Sequence, residues 1–291
     1  MFADNYGNKW YKVGLHVHTN VSDGKVSPEE AAMRYKNAGF DAIAITDHWK
    51  YNCEGEINGL KIISGCEYNV GATDSTEGVM HIVGVGMKKE PGLVKGQASG
   101  QQIIDEIINT GGMAALAHPA WSLNTVEDVK AVSGFSMLEI YNTVSAVNQS
   151  MRAYSGYLVD ILANEGIVYP LTATDDAHYY EEFDDCAKSY IMVNAEDCTT
   201  ESILKAIKQE KFYASQGPEL YVKKEGNKII ADCSECVMIK FFSNASFINN
   251  STLRGENLTH FEYEPQEWEK WVRVEVCDKS GNFAWSNIIK L

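Results

Sequence analysis

YKVGLHVHTNVSDGKVSPEEAAMRYKNAGFDAIAITDH, residues 11–48, reads as a strand, a helix and a second strand in succession. The first run, Tyr11–His18, is apolar and β-rich and finishes in His16-Val17-His18. Ser27 then offers an N-cap, Pro28 suits the first helical position, Glu30 completes a capping box, and Gly39 closes the helix. The second run, Ala42–Thr46, finishes in Asp47-His48. This is the unit from which parallel β/α architecture is built.

Working outward, similar runs occur at Lys61–Cys66, His81–Gly86, Met113–Ala117, Met137–Tyr141 and Val168–Ala173. Together they make seven strands, which suggests a barrel rather than an open sheet, two architectures that run spacing by itself separates poorly. Val144, Val147, Met151, Tyr154, Leu158 and Ile161 recur at spacings of three and four, so Val144–Glu165 is predicted to be one amphipathic helix ending at Gly166. Thr199–Lys211 is predicted to be another. After Gly217-Pro218 the helical period disappears. Tyr221–Ala231 is interrupted by Glu225-Gly226-Asn227 like a hairpin, and Val237–Phe242 is strand-like. In Trp271–Cys277 the residues Val272, Val274 and Val276 alternate with Trp271, Arg273 and Glu275, the pattern of a half-buried antiparallel strand. Two domains are expected, 1–217 and a small all-β domain at 218–291.

With 291 residues, 45% of them apolar, the chain can bury a large core. A net charge of -15 disfavours a nucleic-acid partner, since backbone binding needs clustered Lys and Arg, and favours a small-molecule substrate. Bound divalent cations would nevertheless reverse the local sign of an acidic pocket. Met1–Lys12 lacks the apolar core of a signal peptide, and no apolar run approaches a membrane span. The seven scattered cysteines suit a reduced, cytoplasmic location. Cys233-Ser-Glu-Cys236 has no second pair and is taken as structural.

Six of the seven histidines precede Ala187, and they stand at the ends of the predicted strands. Strand alternation puts His16 and His18 on one side, where both imidazoles can reach one ion, although such a pair by itself is as often a surface or core feature. Ser22-Asp23-Gly24 by itself suits a turn. Asp47-His48, Glu67, His81, His118-Pro119 and Asp175-Asp176-Ala177-His178 complete the set. Each taken singly is explained by a satisfied polar group at a strand end. Jointly, an imidazole or carboxylate at nearly every strand end is the donor set that metal binding requires.

These motifs, in this order over about 12–215, resemble those of the PHP superfamily, named for polymerase and histidinol phosphatase domains. The resemblance implies an α/β fold, a distorted seven-stranded (β/α) TIM-like barrel, with two or three divalent ions at the C-terminal face of its strands and Zn, Mn or Fe as candidates. Matched motif by motif, one ion would take His16, His18, Glu67 and Asp176; a second would take Asp23, His48 and His178; a third would share Glu67 with His81 and His118. The implied activity is a metal-dependent phosphoesterase cleaving a small phosphorylated metabolite or nucleotide by a metal-bridged hydroxide. A nuclease or a non-catalytic metal-binding module are the alternatives. The β-rich tail is similar to domains appended to certain stand-alone PHP phosphoesterases, or is simply a packing module that covers the barrel.

Three residues are expected to serve the reaction beside the metals. Asp47 would orient His48 or shuttle a proton, or else make an ordinary strand-end hydrogen bond. Asn142, with Glu139, would line the pocket at the end of Met137–Tyr141. Arg152, early in the Val144–Glu165 helix, is the arginine placed to reach substrate phosphate, if it is not on a solvated helix face.

Overall fold

The computed structural model describes residues 2–3, 7–71 and 79–291. In chain order the elements up to residue 215 are β1 (Phe2–Ala3), β2 (Lys9–Gly14), α1 (Pro28–Asn37), β3 (Ala42–Ala44), β4 (Gly55–Ile57), β5 (Leu60–Ile63), β6 (Gly65–Val70), β7 (Met80–Val85), α2 (Gly100–Asn109), β8 (Met113–Ala117), α3 (Val126–Lys130), β9 (Phe135–Asn142), α4 (Gly156–Asn164), β10 (Leu171–Thr174), β11 (Tyr190–Asn194), α5 (Thr200–Lys208) and β12 (Phe212–Ser215). There follow β13 (Leu220–Glu225), β14 (Lys228–Ser243), β15 (Thr252–Tyr263), β16 (Trp271–Cys277), β17 (Phe283–Trp285) and β18 (Ile289–Lys290), with no helix among them. The protein is thus a mixed α/β chain with a β-rich C-terminal region.

Helices α1, α2 and α5 start at side-chain caps. Ser27 accepts from the Glu30 amide at the head of α1, Ser99 and Gln102 form a reciprocal capping box on α2, and Thr199 caps α5. On α2, Ile103, Ile104 and Ile107 are fully buried and face β7 and β8, each contributing about 1.5–3 kcal/mol of transfer free energy. None of the helices is long and apolar enough to cross a membrane, among the described residues.

The strands form two sheets. One runs β13-β14-β16-β17-β12-β11-β2-β3-β5-β4, and the other runs β10-β9-β8-β7-β6. Among the described residues no continuous ladder closes them into one barrel. Their edges meet instead through isolated parallel bridges, Val17 with Ala177 and His48 with Glu67. The strands β2, β3 and β5 are parallel, as are β8, β9 and β10, but β7 is antiparallel to both its neighbours.

Three local expectations are corrected. Lys61–Cys66 is not one strand: it breaks at Ser64 and hands the chain from the first sheet to the second. Gly65 permits that corner, since a Cβ there would stand 2.6 Å from the Ile45 carbonyl oxygen. Val144–Glu165 is not one helix either. A single 3-10 turn, Val144–Ala146, is tied down by Asn142 Oδ1, which accepts from the amide and hydroxyl of Ser145, and the following chain runs beside the end of β9 until α4 begins at Gly156. The apolar spacing misled because Met151 and Tyr154 do not bury a helical stripe; Met151 is 72% exposed. Lastly, β16 is buried on both faces, with Arg273 only 1% exposed, because its polar face packs on α4 instead of meeting water.

Beyond residue 217, β14 and β16 bury Ile239, Phe241, Val272, Val274 and Val276 in a core that also takes Tyr213 of β12. The sheet is continuous across the junction because β17 pairs with β12, and Trp285 on β17 belongs to the core of the preceding region.

Candidate metal centre

The two sheets meet in one rim of polar side chains. Past the end of β2, the His18 amide donates to the Ala177 carbonyl at 3.1 Å, the Asp176 amide to the His16 carbonyl at 3.0 Å and the Thr46 amide to the Val17 carbonyl at 2.8 Å. That pairing turns buried Val17 into the core and both flanking imidazoles the other way. His81 joins the rim from the start of its strand, not the end: because β7 runs antiparallel, its N-terminal end lies where the other strands finish.

The tightest group is His16, His18, Glu67 and Asp176. The two Nε2 atoms are 3.1 Å apart. Glu67 Oε2 lies 3.2 and 3.0 Å from them, and Asp176 Oδ1 lies 3.2 and 3.0 Å from them. A tetrahedral ion bound at about 2.0–2.1 Å spaces its donors by about 3.3 Å, so the arrangement is close to the edge lengths of such a site. A second group joins His18, Asp23, His48 and His178, with Asp23 carboxylate oxygens 3.4 Å from His18 Nδ1, 3.7 Å from His48 Nε2 and 3.5 Å from His178 Nε2. Asp23 is half exposed whereas His18 and His178 are buried. A third group comprises His48, Glu67 and His81. His118, expected in that set, lies 3.3 Å from Glu67 Oε1 and 3.7 Å from Asp176 Oδ2, between the first and third groups.

Glu67 is the hub. Burial alone would push its carboxyl up, but the imidazoles of His16, His48 and His81 override that and hold it well below the usual carboxylate range. Asp176 is depressed in the same way against its own burial, chiefly by His16 and His18. His81 Nε2 is buried without a hydrogen-bond partner among the described residues, and His48 Nδ1 and Asp176 Oδ1, though 3.0–3.2 Å from Glu67 Oε2 and from the His16 and His18 Nε2 atoms, are buried without a well-aligned hydrogen bond. Orphaned donors and acceptors of this kind cost about 1–3 kcal/mol each, and a cation among them removes the cost. The donor set therefore fits divalent metal on chemical grounds.

Outer contacts fix which nitrogen each ring presents. Glu139 Oε1 takes His16 Nδ1 at 2.9 Å, Ser122 Oγ faces His118 Nδ1 at 3.2 Å, and the Asp176 carbonyl takes His178 Nδ1 at 2.7 Å, so each Nε2 points into the cluster. His118 and Asp176 hold left-handed backbone angles, φ 28° and 53°, strain of about 1–3 kcal/mol each that tends to persist at functional sites.

The other expected residues stand elsewhere. Asp47 does not bond His48. It is fully buried and accepts from the Thr19 amide at 2.8 Å, the Thr19 hydroxyl at 2.8 Å and Ser22 Oγ at 2.8 Å, which anchors the loop that carries Asp23. Asn142 is fully buried, with its amide nitrogen spent on Glu139 Oε2 at 2.9 Å and Asp176 Oδ2 at 3.3 Å. Arg152 is exposed and lies outside any helix. Glu139, foreseen as pocket wall, instead stands behind the site with four hydrogen bonds, and its one legible signal is an acid within the otherwise apolar run Met137–Tyr141. Asp175 accepts from Tyr35, Thr143 and the Lys188 and Ser189 amides, so it braces the fold, and burial pushes its carboxyl up to about 6. A cavity of ≈ 540 Å³ lined by Trp10, Tyr213 and Tyr221 touches none of the rim residues.

The solved structures similar to this chain include the following three. A two-domain protein of Bacteroides vulgatus, containing a predicted PHP-like metal-dependent phosphoesterase, aligns over 99% of this chain and 98% of its own with 13% identity and a TM-score of 0.54. A protein of Bifidobacterium adolescentis assigned as a metal-dependent phosphoesterase aligns over 57% of this chain and 87% of its own, with 13% identity and a TM-score of 0.44. An amidohydrolase of Chromobacterium violaceum, solved with sulfate and no metal, aligns over 68% and 96% with 18% identity and a TM-score of 0.44. No curated protein matches the chain. The profile of the PHP domain matches residues 14–216, from just before His16-Val17-His18 to just past the end of β12, and the chain belongs to the PHP domain family.

Proposed function

We propose that the protein is a metal-dependent phosphoesterase acting on a small phosphorylated metabolite or nucleotide. The observation that carries this reading is the group His16, His18, Glu67 and Asp176, in which the two imidazole Nε2 atoms lie 3.1 Å from each other and 3.0–3.2 Å from both carboxylates. In this reading His16, His18, Glu67 and Asp176 hold one ion, Asp23, His48 and His178 a second, and Glu67 with His81 and His118 a third. The strands β2, β3, β5 with β6, β7, β8, β9 and β10 then act as the seven staves of a distorted barrel over 1–217, with 218–291 as an appended all-β domain. Nitrogen and oxygen donors without thiolate suit Zn, Mn or Fe.

Adjacent divalent ions supply Lewis-acid polarisation of a phosphoryl oxygen and ionise water near neutral pH. The chain's own residues do the rest. Glu67 and Asp176 keep the centre anionic, Glu139, Ser122 and the Asp176 carbonyl hold three imidazoles in the ligating tautomer, and Asp47 holds the loop of Asp23 in place. With a net charge of -15 the favoured substrate is a small phosphate ester and not a nucleic acid.

The test is elemental analysis of protein purified without chelators, followed by turnover of a chromogenic phosphate ester and a panel of mononucleotides, sugar phosphates and oligonucleotides. Metal at two or three ions per chain with turnover of a small ester is expected. Metal-free, inactive protein would overturn the reading, and preferred cleavage of oligonucleotides would replace it with a nuclease.

A further inference from the structure

The contact between β16 and the segment preceding α4 ends in side chains, not in an apolar seam. Arg273, buried, donates through Nε and one terminal nitrogen to Asp160 of α4 at 2.6 and 2.9 Å, and its other terminal nitrogen pairs with Glu275. Its guanidinium also lies 4.1 Å over the ring of Phe242. Glu275 in turn accepts from the phenol of Tyr154, which Arg273 also approaches at 3.4 Å. Tyr154 is 43% exposed, yet its hydroxyl is held between these two buried charges. Its ring folds back over Gly156, where a Cβ would have no room.

What Tyr154 holds in place reaches the rim in two directions. On one side, residues 153–155 run along the end of β9: the Asn142 amide donates to the Ala153 carbonyl at 3.0 Å and the Ser155 amide to the Ile140 carbonyl at 2.8 Å. Asn142 is the residue whose side chain grips both Glu139 and Asp176. On the other side, Ser155 Oγ accepts from the Ala120 amide at 3.2 Å, two residues beyond His118 in a loop that begins with left-handed backbone.

We propose that the C-terminal strand β16 is a positioning element of the metal centre. Glu275 and Arg273 clamp Tyr154, and Tyr154 with Ser155 sets the Asn142 and His118 side of the rim. The β-rich tail is then part of the working unit, and Tyr154 and Ser155 are positioning residues. The structural half of this inference stands on the hydrogen bonds alone, and its effect on metal rests on the reading under Proposed function.

Amide hydrogen exchange of the full-length, metal-free protein tests the first half. In Tyr154→Phe the amides of Asn142 and Ala120 should exchange about 10-fold faster while those of α2 keep their wild-type rates, and Glu275→Gln, which retains an oxygen acceptor, should fall between. Ser155→Ala serves if the first variant folds poorly: it should free the Ala120 amide and leave that of Asn142 protected. Titration with Zn or Mn tests the second half, with affinity falling about 10-fold in Tyr154→Phe and Ser155→Ala, the lower end of what outer partners of metal ligands carry. Wild-type exchange at both amides together with unchanged affinity overturns the inference. A wild-type protein that binds no metal sinks the functional proposal instead, and the exchange rates still decide the structural claim.

Discussion

Replacing Glu139 by Gln alters one atom of a side chain that is 1% exposed and hydrogen-bonded on all sides. Oε1 receives His16 Nδ1 at 2.9 Å and the Thr174 hydroxyl at 2.7 Å, while Oε2 receives the His118 amide at 2.8 Å and Asn142 Nδ2 at 2.9 Å. Burial would push this carboxyl up, but His16 beside it holds it below the ordinary range, so it is ionised at neutral pH. A glutamine must place its NH2 at one of the two oxygen positions. At the Oε2 position it would face a backbone N–H that cannot turn away and an Asn142 amide whose oxygen is already committed to Ser145. At the Oε1 position the Thr174 hydroxyl can rotate to accept, but His16 must give up its Nδ1 proton. That proton then sits on Nε2, the atom that points at Glu67 and Asp176, and blocks the lone pair a metal needs. Loss of such an outer partner lowers metal affinity about 10- to 100-fold, or about 1.4–2.7 kcal/mol. The assay is competitive titration of Zn against a chelator in both proteins. Equal affinities would refute the reasoning.

Four shorter tests bear on the same centre. Asp23→Ala should lower the metal content by about one ion and slow turnover, and unchanged stoichiometry by elemental analysis would show that Asp23 only shapes a turn. Gly65→Ala should lower stability by about 1–3 kcal/mol in urea unfolding, because the new Cβ meets the Ile45 carbonyl, and a wild-type midpoint would show that the corner relaxes freely. Chelation should lower the thermal midpoint, since metal at about 100 times its dissociation constant adds about 2.7 kcal/mol to the native state; coincident melts with and without chelator would count against a bound ion. In the metal-free protein, burial lowers the pKa values of His16 and His18, but Asp176 and Glu67 together outweigh it and hold both well above the ordinary histidine value. Protons therefore compete with metal below those raised values. Affinity should climb as pH rises through the neutral range, with proton release seen as a buffer-dependent heat in calorimetry; a pH-independent affinity would contradict it.

That imidazoles and acids stand at the ends of successive apolar runs was legible in the chain itself, because such a residue at the end of an apolar run is a local signal. His16, His18, His118, Asp176 and His178 stand just past the ends of apolar strands, and Glu67 lies near the start of one. The helix starts at Ser27 and Thr199 were equally plain, since a cap and the turn it closes are neighbours in sequence. Tertiary structure alone decided the rest. The direction of β7, which brings His81 to the rim from the start of its strand, depends on which strands flank it, and periodicity carries no arrow. The break at Ser64 answers to the backbone of Ile45, some twenty positions away, and the side to which Asp47 turns answers to Thr19 and Ser22. The helical spacing of Val144 to Ile161 was real in sequence but becomes α-helix only from Gly156, because Ala153 and Ser155 pair with β9 instead. The alternation in Trp271–Cys277 marked two faces correctly and could not say that the charged one would be covered, as a buried Arg273 needs Asp160 and Tyr154, more than a hundred residues distant, to satisfy it. Patterns set by a residue and its near neighbours are written in the sequence, whereas strand direction, sheet partner and the cover over a polar face are set by contacts that exist only after the chain has folded.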